Sequence, residues 1–296
     1  MQGTVDGFSY GLVTPAAAYL MACLGGALGL RCTTRSLRNR ESFKAGWLAL
    51  GATSIGTGIW TMHFIAMMGF SVQQAPISYD RPITFASLAV AIVMVGIGIF
   101  IVGYRGATPL ALVTGGTITG LGVATMHYLG MAGMRLQGRI DYDTVTVALS
   151  VLIAVVAATS ALWAAVSVHG FLASLGASLV MGLAVSGMHY TAMAAVRVHL
   201  HGTPAAGGGD TAASLLLPML IGPGVFLVLA AVVVMFDPLL VMGEPDWQKP
   251  SGRPSPPRPG LPAPRSAPAY GEPADRTSRR SSARTVRRDG HRPQDW

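Results

Sequence analysis

The sequence predicts an all-α membrane protein with seven transmembrane helices: three repeated two-helix units, a seventh helix and a disordered tail. Three observations carry that reading. Hydrophobic residues make up 51% of the 296-residue chain and charged residues only 11%, where a soluble domain carries about 25% charged residues. Seven stretches of bilayer-spanning length contain no Asp, Glu, Lys or Arg in their cores. One motif recurs in the second, fourth and sixth of those stretches.

A bilayer core takes about 20 apolar residues as a helix. The stretches run over residues 8–30, 46–70, 84–104, 109–134, 145–168, 171–196 and 213–236. Asp6 precedes the first of them without a basic region or cleavage site, so no cleaved signal peptide is expected. The first connection carries Arg31, Arg35, Arg38, Arg40 and Lys44 and should face the cytoplasm. The second has Asp80 and Arg81, and the third Arg105. The fourth sets Arg135 and Arg139 against Asp141 and Asp143, read as interfacial anchors. The fifth is nearly absent around His169 and Gly170, and the sixth carries Arg197 and Asp210. The N-terminus is then outside and the C-terminus inside. Gly25 and Gly29, like Gly116 and Gly120, are spaced by four and should let helices approach closely.

These spans divide the chain into a repeat domain over residues 1–200, a loop and seventh span over 201–242, and a Pro/Arg-rich cytoplasmic tail over 243–296. The mean hydropathy of +0.49 argues against a soluble enzyme. Net charge is +8, but residues 251–296 hold ten Arg and four acids and so account for +6 of it. The basic pI therefore belongs to the tail, and no nucleic-acid partner is expected. The tail has little to bury and should be disordered. Its Arg279, Arg280, Arg284, Arg287 and Arg288 suit anionic lipid, and the tail or loops could reach a cytoplasmic signalling partner. Two cysteines, Cys23 and Cys32, cannot build a disulfide framework.

The recurring pattern is G-x-[GA]-x-x-x-M-H-[FY]-x-[AG]-M. It begins at Gly56, Gly120 and Gly182 and places histidines at 63, 127 and 189. Residues four apart share a helix face. His63 with Met67, His127 with Met131, and His189 with Met193 can therefore project together. Met62, Met126 and Met188 point about 100° away. All three spans run from inside to outside, with each histidine seven or so residues from the outer end, hence roughly 10 Å deep. Imidazole suits several transition metals, and thioether selects soft ions, above all Cu(I). The set has no carboxylate, against Mg, Ca and Mn, and no thiolate, against zinc. Copper is the metal these ligand types favour. The bland alternative is that each histidine packs and each methionine fills core; three registered copies weigh against it. Phe64, Tyr128 and Tyr190 could pack beside the site or supply a hydroxyl. His199 and His201 are read as a polar loop rather than a metal entry point, and His169 and His291 as unremarkable.

The Met188-His189-Tyr190-Thr191 tetrad reads MHYT, and Met62-His63-Phe64-Ile65 and Met126-His127-Tyr128-Leu129 are degenerate copies. Over residues 8–200 the chain resembles the bacterial MHYT-domain integral membrane sensors. The resemblance implies a multi-pass protein of the bacterial inner membrane. It implies ligand roles for Met62, His63, Met67, Met126, His127, Met131, Met188, His189 and Met193. It further implies copper near the outer face and sensing of a diatomic gas or of redox state. Relatives often carry cyclic-dinucleotide or histidine-kinase domains, and nothing after Met242 looks like one, so no enzyme activity is expected and output should pass through a partner. The first two copies lack the threonine of the tetrad, so only Thr191 supplies that hydroxyl.

Two other readings stay open. A metal-handling permease would suit repeated hairpins with intramembrane ligands, although the inner halves of the spans offer only hydroxyls such as Thr53, Ser54, Thr114 and Ser174. A membrane haem protein would use histidines from different helices as axial ligands.

Overall fold

Capping residues punctuate the apolar runs and set where the helices begin. A computed structural model describes residues 5–7, 9–38, 43–72, 77–168, 170–200 and 212–236. Arg40, His169, His201, Asp210, His291 and the tail lie outside the described residues. The helices are α1 (Val13–Arg38), α2 (Lys44–Met68), α3 (Arg81–Arg105), α4 (Pro109–Ala132), α5 (Thr144–Ser167), α6 (Phe171–Ala194) and α7 (Ala212–Met235). Asp80, Thr108 and Asp143 start α3, α4 and α5 as N-caps: each side chain accepts from the backbone N–H three residues on.

Among the described residues, six of the seven helices are long and apolar enough to cross a membrane, and the chain is a multi-pass membrane protein. The exception, α2, carries Ser54, Thr57, Thr61 and His63, all buried. It packs among α1, α3 and α7, so its polar side chains face protein rather than lipid.

Helices α1 to α6 form a closed ring, each packed on the next and α6 on α1, with α7 outside against α1 and α2. The motif's first glycine supplies each joint between repeats. A Cβ added to Gly56 would lie 2.9 Å from Ile92 Cα on α3, and one on Gly120 only 2.5 Å from Val155 Cα on α5. On Gly182 it would meet Cys23 Sγ on α1 at 2.5 Å, which closes the ring. The four glycines singled out by spacing behave as expected: Gly25 abuts Gly58, Gly29 Ile55, Gly116 Thr159 and Gly120 Val155.

A second joint repeats at the end where α2, α4 and α6 finish. The carbonyls of Gly69, Gly133 and Ala195 accept from Ser9, Asp80 and Asp143 N–H at 3.0, 2.8 and 2.9 Å. Each repeat thus ties its second helix to the start of its first. Short antiparallel strands cap the same end. β1 (Val5–Asp6) pairs with β2 (Ser71–Val72), β3 (Ser78–Tyr79) with β4 (Met134–Arg135), and β5 (Gly138–Tyr142) with β6 (Val196–Leu200).

The structure corrects three expectations, two of them in this cap. Residues 196–200 form a strand where the sixth span and a polar loop were expected, because the β-branched Val196 and Val198 alternate with Arg197 and His199. His199 therefore sits on β6 opposite Arg139, its Nε2 3.9 Å from an Asp141 carboxylate oxygen. At the opposite end α1 runs on to Arg38 instead of stopping at residue 30, since nothing from Arg31 to Arg38 breaks a helix. Arg31, Arg35 and Arg38 thus belong to the last turns of α1 rather than to a loop.

The expected interfacial anchors are ion pairs of the cap: Arg135–Asp80 at 3.1 Å, Arg139–Asp141 at 2.7 Å and Arg197–Asp143 at 3.9 Å. The Ile83 N–H and then Arg135 hold the Asp80 carboxyl below the usual carboxylate range. Hydrogen bonds from the Thr146 hydroxyl and N–H, and then Arg197, do the same for Asp143. A depressed folded pKa means stabilisation that is complete above the unfolded value, about 3.9, and is lost as pH falls through the folded one. Melting temperature should be flat from pH 7 to 5 and fall below about pH 4. In Asp80→Asn and Asp143→Asn together the acid limb should shrink; an unchanged limb would assign it elsewhere.

Candidate metal centre

His63, His127 and His189 each lie five residues before the last residue of their helices, Met68, Ala132 and Ala194. At about 1.5 Å per residue the common depth is roughly 7.5 Å inside the helix ends, a little shallower than the sequence suggests. The ring turns all three inward, and they meet on its axis. The three Nδ1 atoms form a triangle with sides of 3.1 Å (63 to 189), 3.2 Å (63 to 127) and 3.3 Å (127 to 189). All three residues are buried, and they are the one group of this kind among the described residues that could hold a metal ion.

The triangle has a specific chemical meaning. Neutral imidazole offers one lone pair and one N–H. Three converging Nδ1 atoms cannot all donate to one another, and three converging lone pairs repel. A cation removes the conflict. Four ligands at about 2.0 Å in a tetrahedron are about 3.3 Å apart, close to the observed sides. The three nitrogens would hold such an ion and leave a fourth ligand position to be filled. With Nδ1 as ligand, the proton sits on Nε2, and His63 and His127 Nε2 have no partner among protein atoms.

The rings are held by neighbours. Phe64 stands edge-on to His63 at 4.6 Å between centroids, Tyr128 to His127 at 4.9 Å and Tyr190 to His189 at 5.0 Å. The Tyr128 hydroxyl is turned away to Ser150 Oγ at 2.8 Å. Thr191, the hydroxyl of the complete tetrad, donates back to Gly187 O at 2.8 Å. Trp60 fixes α2 against α3 by donating to Thr84 O at 3.2 Å and Ser87 Oγ at 3.0 Å. Phe64 leans on Trp60 and on Tyr79, a buried tyrosine whose pKa burial raises.

The methionines divide by direction. Met67 and Met193 line a cavity of about 300 Å³ at the cap end together with His189, Phe70 and Tyr190. Met188 faces the other way, into a cavity on the ring axis. Met62, Met126 and Met131 are buried in the core. Two contributors were not singled out from sequence. One is the Trp60–Thr84–Ser87 clamp, whose only signal is polar residues inside apolar runs. The other is Gly130, where a Cβ would lie 2.7 Å from His63 Nε2. Its signal is the small residue three places after each histidine: Ala66, Gly130 and Ala192. Gly130→Ala should push the His63 ring out of the triangle and weaken metal binding by about 10-fold, the scale of outer-shell lesions. Calorimetric titration would show it, and unchanged affinity would mean the ring yields freely.

The comparisons agree with this architecture. The family profile of MHYT, the bacterial signalling protein N-terminal repeat, matches residues 56–115 and 120–178. The chain is 38% identical over 197 residues to the bifunctional diguanylate cyclase/cyclic di-GMP phosphodiesterase MucR of Pseudomonas aeruginosa, covering 65% of this chain and 29% of MucR. It is 37% identical over 221 residues to the cyclic di-GMP phosphodiesterase NbdA of the same organism, covering 69% and 27%. It is 29% identical over 199 residues to the signalling protein YkoW of Bacillus subtilis, covering 64% and 24%. The chain thus spans less than a third of these relatives. No solved structure matches it.

Proposed function

We propose, for a chain that belongs to the MHYT family of bacterial signalling repeats, that His63, His127 and His189 hold a copper ion through which a membrane sensor module reads a diatomic gas or redox state. The observation that carries this is the Nδ1 triangle with sides of 3.1–3.3 Å. The nearby donors are neutral, and burial cost rises steeply with ionic charge. A monovalent ion therefore suits the site better than a divalent one. Imidazole with thioether favours Cu(I), and the cavity shared by Met67, Met193 and His189 gives a soft ion its approach from the cap end. When bound, copper supplies an open coordination position and one-electron redox chemistry. The protein's share is to hold the three nitrogens, exclude bulk water and leave that position accessible.

The competing readings fit less well. Nitrogens this close leave no space between them for a porphyrin plane. One turn below the triad the lining is Ile59, Val123 and Val185, and the cavity there holds no further imidazole or carboxylate to pass an ion onward.

Orientation follows the charges. Among the described residues, Arg31, Arg35, Arg38, Lys44 and Arg105 lie at one end with no carboxylate beside them, whereas at the cap end Arg81, Arg135, Arg139 and Arg197 are offset by Asp6, Asp80, Asp141 and Asp143. We place the cap outside the inner membrane of a bacterial cell and the basic end in the cytoplasm. The relatives' names point to cyclic di-GMP signalling, so output would reach a cytoplasmic partner of that system from the basic end.

Metal content and optical spectrum of the purified protein test the proposal against a His63→Ala, His127→Ala, His189→Ala triple variant. One copper per chain in the parent and none in the variant is expected after anaerobic loading. A Soret band, or equal metal in both, would overturn it.

A further inference from the structure

Below the triad the ring encloses a second feature. An axial cavity of about 50 Å³ is lined from all six ring helices. Its upper lining includes Ile59, Val123 and Val185, each four residues before a histidine, and Met188 beside His189. Four residues is about one helical turn, or roughly 6 Å of rise. The lining is almost wholly apolar. Thr33 is spent on Gly29 O, which leaves the buried Thr119 hydroxyl, without a protein partner, as the free polar group in the cavity.

A water molecule needs about 10–15 Å³ of centre volume and two to four polar partners. The space suffices; the partners do not. An apolar cavity of this kind stays dry and takes up xenon or small apolar molecules.

The cavity also has a way in. Between α5 and α6 an apolar groove opens on the outer, lipid-facing surface of the ring. Groove and cavity share Ala157, Ala161 and Met181. Two of these are too small to block a passage, and the third is an unbranched side chain with three rotatable bonds. Apolar molecules concentrate in hydrocarbon relative to water, so the groove faces the richer reservoir.

We propose that the axial cavity is a binding site for one small apolar molecule of diatomic size, which enters from the bilayer between α5 and α6 past Met181. Its occupant lies one helical turn from the triad and can offer a polarisable end to the Thr119 hydroxyl. The site deepens the sensing reading and takes its biological meaning from it, but occupancy of the cavity needs no metal.

The test is hyperpolarised xenon-129 saturation-transfer NMR on the metal-free full chain in lipid nanodiscs. A bound-xenon signal separate from water and lipid is expected. Ala158→Val, which adds two methyl groups at the cavity wall, should abolish it. Ala184→Phe, in the groove but not in the cavity, should slow exchange at least about tenfold or remove the signal. Ala177→Leu replaces it if that variant does not fold, as judged by tryptophan-fluorescence melting. No separate signal in the parent, or one unchanged in Ala158→Val, would overturn the site. Unchanged exchange in the folded groove variant would overturn the route. Copper stoichiometry is scored separately, so failure of the metal reading and failure of the cavity are distinct results.

Discussion

His127→Ala is expected to leave the helical ring folded and to strip the protein of copper. The metal-free protein should tolerate the change. The lost imidazole carries a buried Nε2 with no protein partner, and its departure relieves one of three nitrogens crowded within 3.3 Å. Removing an unsatisfied polar group offsets part of the packing loss, so the metal-free cost should stay near 2 kcal/mol rather than the 3–5 kcal/mol of a large core truncation. Metal binding should not survive. Two nitrogens cannot hold the ion as three did, and the loss should exceed the roughly 100-fold typical of outer-shell lesions. Thermal melts with and without anaerobic Cu(I) report both quantities. At a thousandfold excess over Kd the parent should gain about 4 kcal/mol, seen as a raised melting temperature, and His127→Ala should gain nothing. Met193→Leu gives the contrast, because Met193 lines the cap-end cavity beside His189 rather than belonging to the triangle. It should cost about tenfold or less. A His127→Ala protein that still melts higher with copper would end the three-nitrogen reading. A Met193→Leu loss as large as that of His127→Ala would make the thioether an equal ligand.

Much of this was readable from residue types and spacing. Seven apolar runs without charge leave the bilayer as the only place for the chain, and the helices α1 to α7 follow. The histidine register, 64 and then 62 residues, fixed one depth for His63, His127 and His189. Sequence could not show that they converge. That depends on ring closure, and closure depends on which small residue faces which helix: Gly182 against Cys23 is a contact between residues 159 positions apart. The strand cap was missed for a different reason. Two-residue pairings such as Val5–Asp6 with Ser71–Val72 carry no periodicity to detect. Their order comes from carbonyls at helix ends seeking donors, as Gly69 does with Ser9. The length of α1 was underestimated because charge marks the membrane boundary, not the helix boundary, and Arg31 and Arg35 are good helix formers outside the bilayer.

The motif's leading glycines should differ in their tolerance of alanine, and in a definite order. At Gly120 an added Cβ meets backbone on the neighbouring helix, Val155 Cα at 2.5 Å and Val155 N at 2.7 Å. Helices α4 and α5 would have to separate, and the ring would open there. At Gly56 the contact is also backbone but looser, Ile92 Cα and N both at 2.9 Å. At Gly182 the nearest atom is the Cys23 sulfur at 2.5 Å, with backbone first at 3.3 Å, and a side chain can rotate where a backbone cannot. Gly120→Ala should therefore destabilise most, at or above the roughly 3 kcal/mol upper range for overpacking. Gly56→Ala should follow, and Gly182→Ala should cost about 1 kcal/mol. Gly96→Ala is the control. Its Cβ would touch only Ala52 Cβ at 3.7 Å, an ordinary contact, and helix propensity should make it neutral or stabilising by about 0.5–1 kcal/mol. Melting temperatures in one detergent would rank the four. Because closure is what brings the histidines together, copper affinity should fall in the same order as stability. A Gly120→Ala protein as stable as Gly96→Ala would show that the ring is not held at this joint. A destabilised Gly120→Ala that binds copper as the parent does would show that the triad forms without the closed ring.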